Sequence, residues 1–254
     1  MNTRLQLFCV WSGPAFLVLY VVFFWGVAGW IPPSPPSWSV EQVGAFYAAH
    51  PDEIRVGQLG ALIASTLLFP FWAVITAQIA RIERGRPPVL ALMQFGGAVL
   101  LQVFFVLCGM LWIVATFRPE LDATTVRVLH DAGWLMFVMV FPAFVMQMFC
   151  IGIAALIDDS PDPIWPRWAG YLNMWVGFGG AGGGLAVFFK QGPFAWNGVV
   201  GFYIPVVVFT VWIITMTYLM HVGVRRQAAE VPAAGLAPAG PERSAPAGQL
   251  AGPL

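Results

Sequence analysis

A short acidic run, Asp158-Asp159-Ser160-Pro161-Asp162, holds the only compact group of carboxylates in the sequence. Carboxylate oxygens are the ligands that Mg²⁺ prefers, and an ion held by protein carboxylates can in turn hold the oxygens of a diphosphate. The run therefore predicts a magnesium site formed by Asp158, Asp159 and Asp162. The alternative is that these side chains form the solvated end of a loop.

The D-D-x-x-D spacing resembles the aspartate-rich motif of prenyl-diphosphate enzymes, which include membrane-embedded prenyltransferases. The resemblance covers one short run and implies Mg²⁺ as the cofactor and an isoprenoid diphosphate as the substrate. The sequence departs from the family at Pro161 and Pro163, which disfavour a helical presentation of the carboxylates. Arg81, Arg84 and Arg167 are expected on the same side of the membrane, where they would bind phosphate oxygens or, alternatively, anchor the topology.

Two other acids, Asp131 and Glu41, are candidates for a catalytic proton donor. Both are expected on the opposite, outer side of the protein. A carboxyl group acts as a general acid near neutral pH only where burial raises its pKa. The sequence therefore offers a second chemistry, a cyclase reaction that begins with protonation of an apolar substrate.

Aromatic residues make up 15% of the chain, with 21 Phe, 12 Trp and 5 Tyr beside 10 Met. Such side chains suit an apolar ligand of variable shape, and aromatic faces also stabilise carbocations. Trp72, Trp112 and Trp175 lie deep in apolar runs, as does Asn173, and we expect these four to line a substrate pocket. The alternative is ordinary packing between helices and lipid.

The three histidines, His50, His130 and His221, do not form a recognisable site. His130 and His221 are expected at opposite faces of the membrane, which disfavours a haem held by both. A metal site of His50, His130 and Asp131 has no specific spacing to support it.

The composition indicates where all these residues must be placed. Charged residues make up only 9% of the chain and its formal net charge is zero, whereas a soluble domain has about 25% charged residues. This excludes a soluble globular enzyme, a basic nucleic-acid binder and a disordered protein. The sequence predicts an all-α, polytopic membrane helix bundle in the cell (inner) membrane.

Six apolar runs are long enough to cross the roughly 30 Å of bilayer hydrocarbon. They contain no Asp, Glu, Lys, Arg or His except His221, which disfavours a proton-coupled transporter. Neutral polar residues such as Gln102 are expected to join helices by hydrogen bonds. The predicted spans are Val10–Ile31, Gly57–Ala80, Val89–Phe117, Gly133–Ile157, Trp168–Phe189 and Val199–Val222.

The basic residues predict that both termini lie inside the cell, because inner loops carry the excess of Arg and Lys. With the N-terminus inside, eight basic residues fall on inner segments and four on outer segments. The inner set is Arg4, Arg81, Arg84, Arg86, Arg167, Arg225, Arg226 and Arg243, and the outer set is Arg55, Arg118, Arg127 and Lys190.

Two segments outside the spans are predicted from their own signals. Ser39 followed by Gln42 is a capping-box pattern, which indicates a short amphipathic helix in the first outer loop. Residues 1–227 are expected to form the membrane domain. Residues 228–254, rich in Ala, Pro and Gly, are expected to form a disordered cytoplasmic tail.

Proline and glycine mark irregular places in the spans. Pro70, Pro142 and Pro205 fall in the second, fourth and sixth spans, which suggests three helical hairpins that each return through a proline-bearing helix. Gly180 and Gly184, one of two G-x-x-x-G pairs in the fifth span, predict close helix packing or an unwound segment beside a pocket.

These observations favour a membrane enzyme or binder for an isoprenoid- or lipid-like substrate, in the form of a terpene cyclase or prenyl-transfer enzyme. Its partners would be membrane lipid and a hydrophobic small molecule. Two alternatives remain open: a non-catalytic membrane subunit or scaffold, as a homo-oligomer or in a complex, and a small permease for a neutral solute.

Overall fold

The computed structural model describes residues 3–235, and side chains as far as residue 228. Within that range the chain consists of helices, turns and loops, without a strand. The α-helices are α1 (Thr3–Tyr20), α2 (Val40–Ala49), α3 (Pro51–Ser65), α4 (Leu68–Ile82), α5 (Val89–Phe117), α6 (Ala123–Met139), α7 (Phe141–Ile157), α8 (Arg167–Gly180) and α9 (Ile204–Gly235). Shorter helical segments of other types are the π-helices Val21–Val27 and Val199–Tyr203 and the 3₁₀-helix Ala181–Phe188.

Five helical stretches are long and apolar enough to cross a membrane, so the chain has the build of a multi-pass membrane protein. The third predicted span coincides with α5. The fifth predicted span does not form one long α-helix, because α8 ends at Gly180 and continues as the 3₁₀-helix. The five stretches are Thr3–Val27, Pro51–Ile82, Val89–Phe117, Ala123–Ile157 and Val199–Ala228.

The prolines of three spans stand where a helix is interrupted and begins again. Pro70 is in the first turn of α4, Pro142 in the first turn of α7 and Pro205 in the first turn of α9. Proline is tolerated there because the first N–H groups of a helix have no intrahelical partner. Each proline therefore sits at a break that divides a long helical stretch into two parts.

The helix α2 forms where the capping pattern indicates one. The Ser39 hydroxyl accepts a hydrogen bond from the backbone N–H of Gln42, and the Gln42 side chain accepts one from the backbone N–H of Ser39. Val43 and Tyr47 are the buried residues of this helix. Both hydrogen bonds of the capping box are thus present, and Val43 and Tyr47 lie on the face of α2 that packs against the bundle.

Neutral polar side chains join the helices, as the sequence predicts. The amide of Gln102 on α5 donates to the Ser65 hydroxyl at 2.7 Å, and the Thr76 hydroxyl donates to Gln94 at 2.6 Å. These contacts link α3 and α4 to α5. In an apolar interior, such pairs satisfy polar atoms that lipid cannot.

The first and last described helices meet at one end of the bundle. The Gln6 amide donates to Gln227 at 3.3 Å, and Gln78 donates to Gln6 at 2.8 Å. Arg81 donates to Gln78 at 2.7 Å. α9 continues to Gly235, beyond the tail boundary predicted at residue 228, and alanine-rich sequence favours such a continuation. The disorder expected for residues 236–254 lies outside the described residues.

Candidate functional site

A pocket of about 100 Å³ lies inside the bundle between α5, the α6–α7 junction and the start of α9. Every residue that lines it is Phe, Val, Leu, Pro or Gly, so the pocket offers no polar side chain to a ligand. Six of the lining residues are phenylalanines: Phe105, Phe137, Phe141, Phe144, Phe202 and Phe209. We call this space the phenylalanine pocket.

The phenylalanine pocket occurs where three helical stretches lose regular α-geometry. Val140 separates α6 from α7, Gly180 ends α8, and Gly201 lies in the π-helix before α9, and all three line the pocket. A side chain at Gly180 would collide with the ring of Phe144. Because Gly180 has no side chain, the backbone can approach this ring closely. The same residue marks the change from α-helix to 3₁₀-helix beside the pocket.

A second feature is a buried histidine with two hydroxyl partners. His130 on α6 is only 1% exposed. Its Nε2 lies 2.9 Å from the hydroxyl of Ser34, and its Nδ1 lies 3.1 Å from the hydroxyl of Tyr47. A neutral imidazole has one donor and one acceptor nitrogen, and each hydroxyl can fill either complementary role. Both ring nitrogens are therefore satisfied without a charge.

Tryptophans enclose this histidine. The rings of Trp30 and Trp196 lie 5.8 and 6.3 Å from the His130 ring. The indole of Trp196 donates to the backbone carbonyl of Ser34 at 2.8 Å, and that of Trp112 donates to the carbonyl of His130 at 3.4 Å. The histidine cluster, as we name it, comprises His130 with Ser34, Tyr47, Trp30, Trp112, Trp134 and Trp196.

The histidine cluster contains a nucleophile–base pair, Ser34 and His130, but both residues are buried away from the phenylalanine pocket. Burial raises the pKa of Tyr47 well above its usual value, so its hydroxyl stays protonated and can donate. A Ser–His pair oriented by a third group is a catalytic arrangement on a substrate-accessible surface. Ser34 is only 6% exposed and, like His130, does not line the phenylalanine pocket. The geometry instead fastens the first loop and α2 to α6.

Two predicted substrate-binding residues, Trp72 and Asn173, meet in a second buried group. The Asn173 carbonyl accepts from the indole of Trp212 at 2.7 Å, and Trp212 stacks on Trp72 with ring centroids 5.3 Å apart. The Asn173 amide donates to the backbone carbonyl of Ala169 at 2.8 Å. We name Asn173, Trp212 and Trp72 the asparagine cluster. None of the three lines the phenylalanine pocket.

The remaining predicted aromatic residues are separated from these two. Trp112 belongs to the histidine cluster, and Trp175 is 74% exposed on α8, beside Phe178. The four residues expected to share one pocket are therefore distributed over two buried clusters and the outer surface of the bundle.

The predicted magnesium ligands have other partners. Asp158 accepts hydrogen bonds from the Ser160 hydroxyl at 2.6 Å and the Ile164 N–H at 2.8 Å. Asp162 pairs with Arg226 at 2.9 Å, and Asp159 is exposed. Over the part of the chain that is described, no three His, Cys, Asp or Glu residues are placed to hold a metal ion. In the described residues the acidic run forms a turn and contacts α9 through the Asp162–Arg226 pair, and the magnesium site stays a prediction.

The other predicted polar residues are dispersed. Arg81 joins Gln78 at the end where the first and last helices meet, whereas Arg84 and Arg167 are exposed. Asp131 is partly exposed and lies 3.8 Å from Arg127. Glu41 is exposed, and a hydrogen bond with Ser39 holds its pKa below the usual value. This shift is opposite to the one that a general acid needs.

His130 is the residue whose role sequence reasoning missed. It lies between Val126 and Trp134, with Phe137 and Val138 one turn further, so it shares the buried face of α6. That helical spacing could have indicated a buried histidine. The partner Ser34 lies in a proline-rich loop, whose path the sequence does not reveal.

Comparison with models of known protein families gives no match for this chain. Comparisons with curated proteins and with solved structures give no similar protein either. The functional argument therefore rests on the geometry of the chain itself.

Proposed function

We propose that this chain is a membrane protein that binds an apolar, isoprenoid- or lipid-like molecule in the phenylalanine pocket. The observation that carries the proposal is the lining, which consists entirely of apolar residues and includes six phenylalanines. A polar solute would lose its water there without gaining a hydrogen bond from a side chain. An apolar chain needs no hydrogen bond there and would gain contact with the rings.

The size of the pocket limits what part of the ligand it holds. Its volume of about 100 Å³ is smaller than the roughly 150 Å³ of an apolar protein cavity that binds benzene. The pocket thus suits a few carbon atoms, such as one branched isoprene unit or the end of an acyl chain. The rest of the molecule would extend between the helices toward lipid.

We further propose that the chain crosses the membrane six times with both termini inside. Gln6 on α1 is hydrogen-bonded to Gln227 on α9, so these helix ends lie at the same end of the bundle. Five crossings would place them at opposite ends. The 14 residues of α8 and the 8 residues of the following 3₁₀-helix have a combined length of about 37 Å, enough for one more crossing.

Reporter fusions at the two termini test this topology. Signals from the cytoplasmic side at both ends are expected, because the excess of inner arginines favours that orientation in the cell membrane. Reporters on opposite sides would contradict the six crossings.

A photoreactive isoprenol tests the ligand-binding proposal. Val206 lines the phenylalanine pocket, whereas its neighbour Val207 is exposed on the outside of α9. Val206→Phe should fill the pocket and greatly reduce saturable labelling of the detergent-purified protein. Val207→Phe makes the same chemical change outside the pocket and should leave labelling unchanged. Equal labelling of both variants would contradict the proposal.

A further inference from the structure

A larger cavity, of about 520 Å³, opens between α2, α3, the end of α5 and the start of α6. It differs from the phenylalanine pocket in its lining, which includes Arg55, Arg118, Thr116 and Tyr47. We call it the arginine cavity. Asp52 is the one acidic residue among its lining residues.

One of the two arginines is held in place at the wall. The Arg55 Nε donates to the Thr116 hydroxyl at 3.2 Å, and one of its terminal nitrogens donates to the Thr116 carbonyl. Its other terminal nitrogen pairs with Asp52 at 3.0 Å. A guanidinium fixed in this way has lost its rotational freedom before a ligand arrives, which favours binding.

The second arginine has room to move. Arg118 pairs with Glu120 at 3.4 Å, and both side chains are about two-thirds exposed. Its guanidinium also lies 5.7 Å from the ring of Phe117. An ion pair this exposed contributes little to stability. Arg118 can therefore exchange Glu120 for an anion in the cavity at small cost.

The position of the arginine cavity indicates where its ligand comes from. The candidate span Pro51–Ile82 begins here and Val89–Phe117 ends here. The ends of membrane spans lie at the depth of lipid headgroups. Apolar residues Leu121, Ala123 and Val126 complete the wall and can contact the first carbons of an attached chain.

We propose that the arginine cavity binds the anionic headgroup of a membrane amphiphile, with its carboxylate or phosphate oxygens on Arg55 and Arg118. Guanidinium groups bind such oxygens with two parallel hydrogen bonds. This site is separate from the phenylalanine pocket. Val126 lines the cavity and Phe137 lines the pocket, and along α6 these residues are about 17 Å apart.

Tyr47 provides a signal that reports occupancy. It lines the arginine cavity, donates to or accepts from His130, and lies 6.1 Å from Trp30, measured between ring centroids. A ligand in the cavity should therefore change the tryptophan fluorescence of the histidine cluster.

The test uses the full chain in phosphatidylcholine nanodiscs, titrated with oleate, oleyl alcohol or inorganic phosphate. Oleate should bind saturably, with a fluorescence change and a matching adduct in native mass spectrometry. Oleyl alcohol lacks the charge and should bind about tenfold more weakly. Inorganic phosphate lacks the chain and should also bind more weakly. Absence of saturable oleate binding, or phosphate binding as tight as oleate binding, would overturn the proposal.

A phospholipid source is distinguished from a free fatty acid by adding phosphatidylglycerol to the nanodiscs. Competition with oleate assigns the cavity to an anionic lipid headgroup, and lack of competition assigns it to a carboxylate. Either result supports an anionic amphiphile, provided that the arginine variants below weaken oleate binding.

Variants at Arg118 test the site itself, because Arg118 is exposed and does not join two helices. Arg118→Gln should weaken oleate binding about tenfold, and Arg118→Lys should weaken it less because the charge is kept. Lys190→Gln removes a positive charge outside the cavity, on an exposed residue near Asp131. It should leave binding unchanged. Unaltered binding by Arg118→Gln, or an equal loss in Lys190→Gln, would contradict the proposal.

Discussion

The histidine cluster and the asparagine cluster are both buried polar groups enclosed by tryptophan, but they connect different parts of the chain. His130 holds hydroxyls from a loop and from α2, neither of which belongs to a long apolar helix. Asn173 on α8 holds one indole from α9. The first cluster therefore fastens non-spanning segments to the bundle, whereas the Asn173–Trp212 hydrogen bond of the second joins two neighbouring helices, α8 and α9.

This difference determines what each polar side chain contributes. Two helices that pack through apolar faces retain most of their contacts when one hydrogen bond is lost. A loop and a short helix depend more on individual polar contacts, because a ten-residue helix such as α2 is marginal in isolation. We expect the histidine cluster to be the more sensitive of the two.

The largest expected effects come from two single variants, in which the central residue of each cluster is replaced by leucine. His130→Leu leaves the hydroxyls of Ser34 and Tyr47 without their partner and should cost about 3 kcal/mol of stability. Asn173→Leu leaves one indole N–H unpaired and should cost about 1.5 kcal/mol. Thermal or denaturant unfolding in detergent micelles measures both losses.

The exposed His50 supplies the control for this comparison. His50→Leu makes the same replacement as His130→Leu but at an exposed residue, so its unfolding should resemble that of the parent protein. If Asn173→Leu proved more destabilising than His130→Leu, the asparagine cluster would be the principal polar anchor and the comparison would be reversed.

Alanine substitutions at two glycines, one on α6 and one on α8, test the same comparison through smaller changes in stability. A methyl group at Gly133 on α6 would collide with the indole nitrogen of Trp112 in the histidine cluster. At Gly177 on α8, the corresponding methyl group would lie 3.2 Å from the side chain of Met148, which is tight but adjustable. Gly133→Ala should therefore cost about 2 kcal/mol, and Gly177→Ala clearly less.

Gly96 on α5 is the matched control, because the space around it is open to 4 Å. Gly96→Ala should be neutral or stabilise the helix by up to about 1 kcal/mol. Equal melting temperatures for Gly133→Ala and Gly96→Ala would mean that Trp112 can move away freely, and that the histidine cluster is less tightly packed than its distances indicate.

The helical fold could be predicted from the sequence because lipid imposes a simple rule. Long apolar runs must satisfy their backbone groups internally, so they become helices, and the bounds of α5 follow directly from its run. The Ser39 cap was predictable for a similar reason, since it depends on residues three positions apart.

The clusters could not be predicted because they depend on contacts distant in sequence. His130 is 96 positions from Ser34 and 83 from Tyr47, and no local pattern connects them. The contacts of the acidic run could not be predicted for a related reason. Spacing shows that Asp158, Asp159 and Asp162 are neighbours, but not that Asp158 is used by the adjacent backbone and Asp162 by Arg226.

The smallest expected effect concerns how the helices that carry the two clusters begin. The Asp122 carboxylate caps α6, accepting from the Thr125 hydroxyl at 2.6 Å and from the Thr125 N–H at 3.0 Å. These bonds lower the pKa of Asp122. α8 begins at Arg167, and its N-cap residue Pro166 provides no side-chain hydrogen bond. The stability of the N-terminus of α6, which carries His130, is thus expected to depend on pH. The stability of the N-terminus of α8, which carries Asn173, is not.

Asp122→Ala should lower the melting temperature modestly at neutral pH, because the cap and its charge at the helix N-terminus are both lost. The sign of the pH dependence follows from the lowered pKa. The charged cap stabilises the fold above the unfolded pKa of about 3.9, and this contribution disappears as the pH falls through the lower folded value. The difference in melting temperature between the parent protein and Asp122→Ala should therefore shrink in acid.

Asp122→Asn is the second variant, because its side chain keeps a hydrogen-bond acceptor but does not titrate. It should retain part of the stability of the parent protein, and titration of residue 122 should not change that part. A difference between parent and Asp122→Ala that stays constant into acid would show that the charge of Asp122 contributes nothing, and that neither helix start depends on pH.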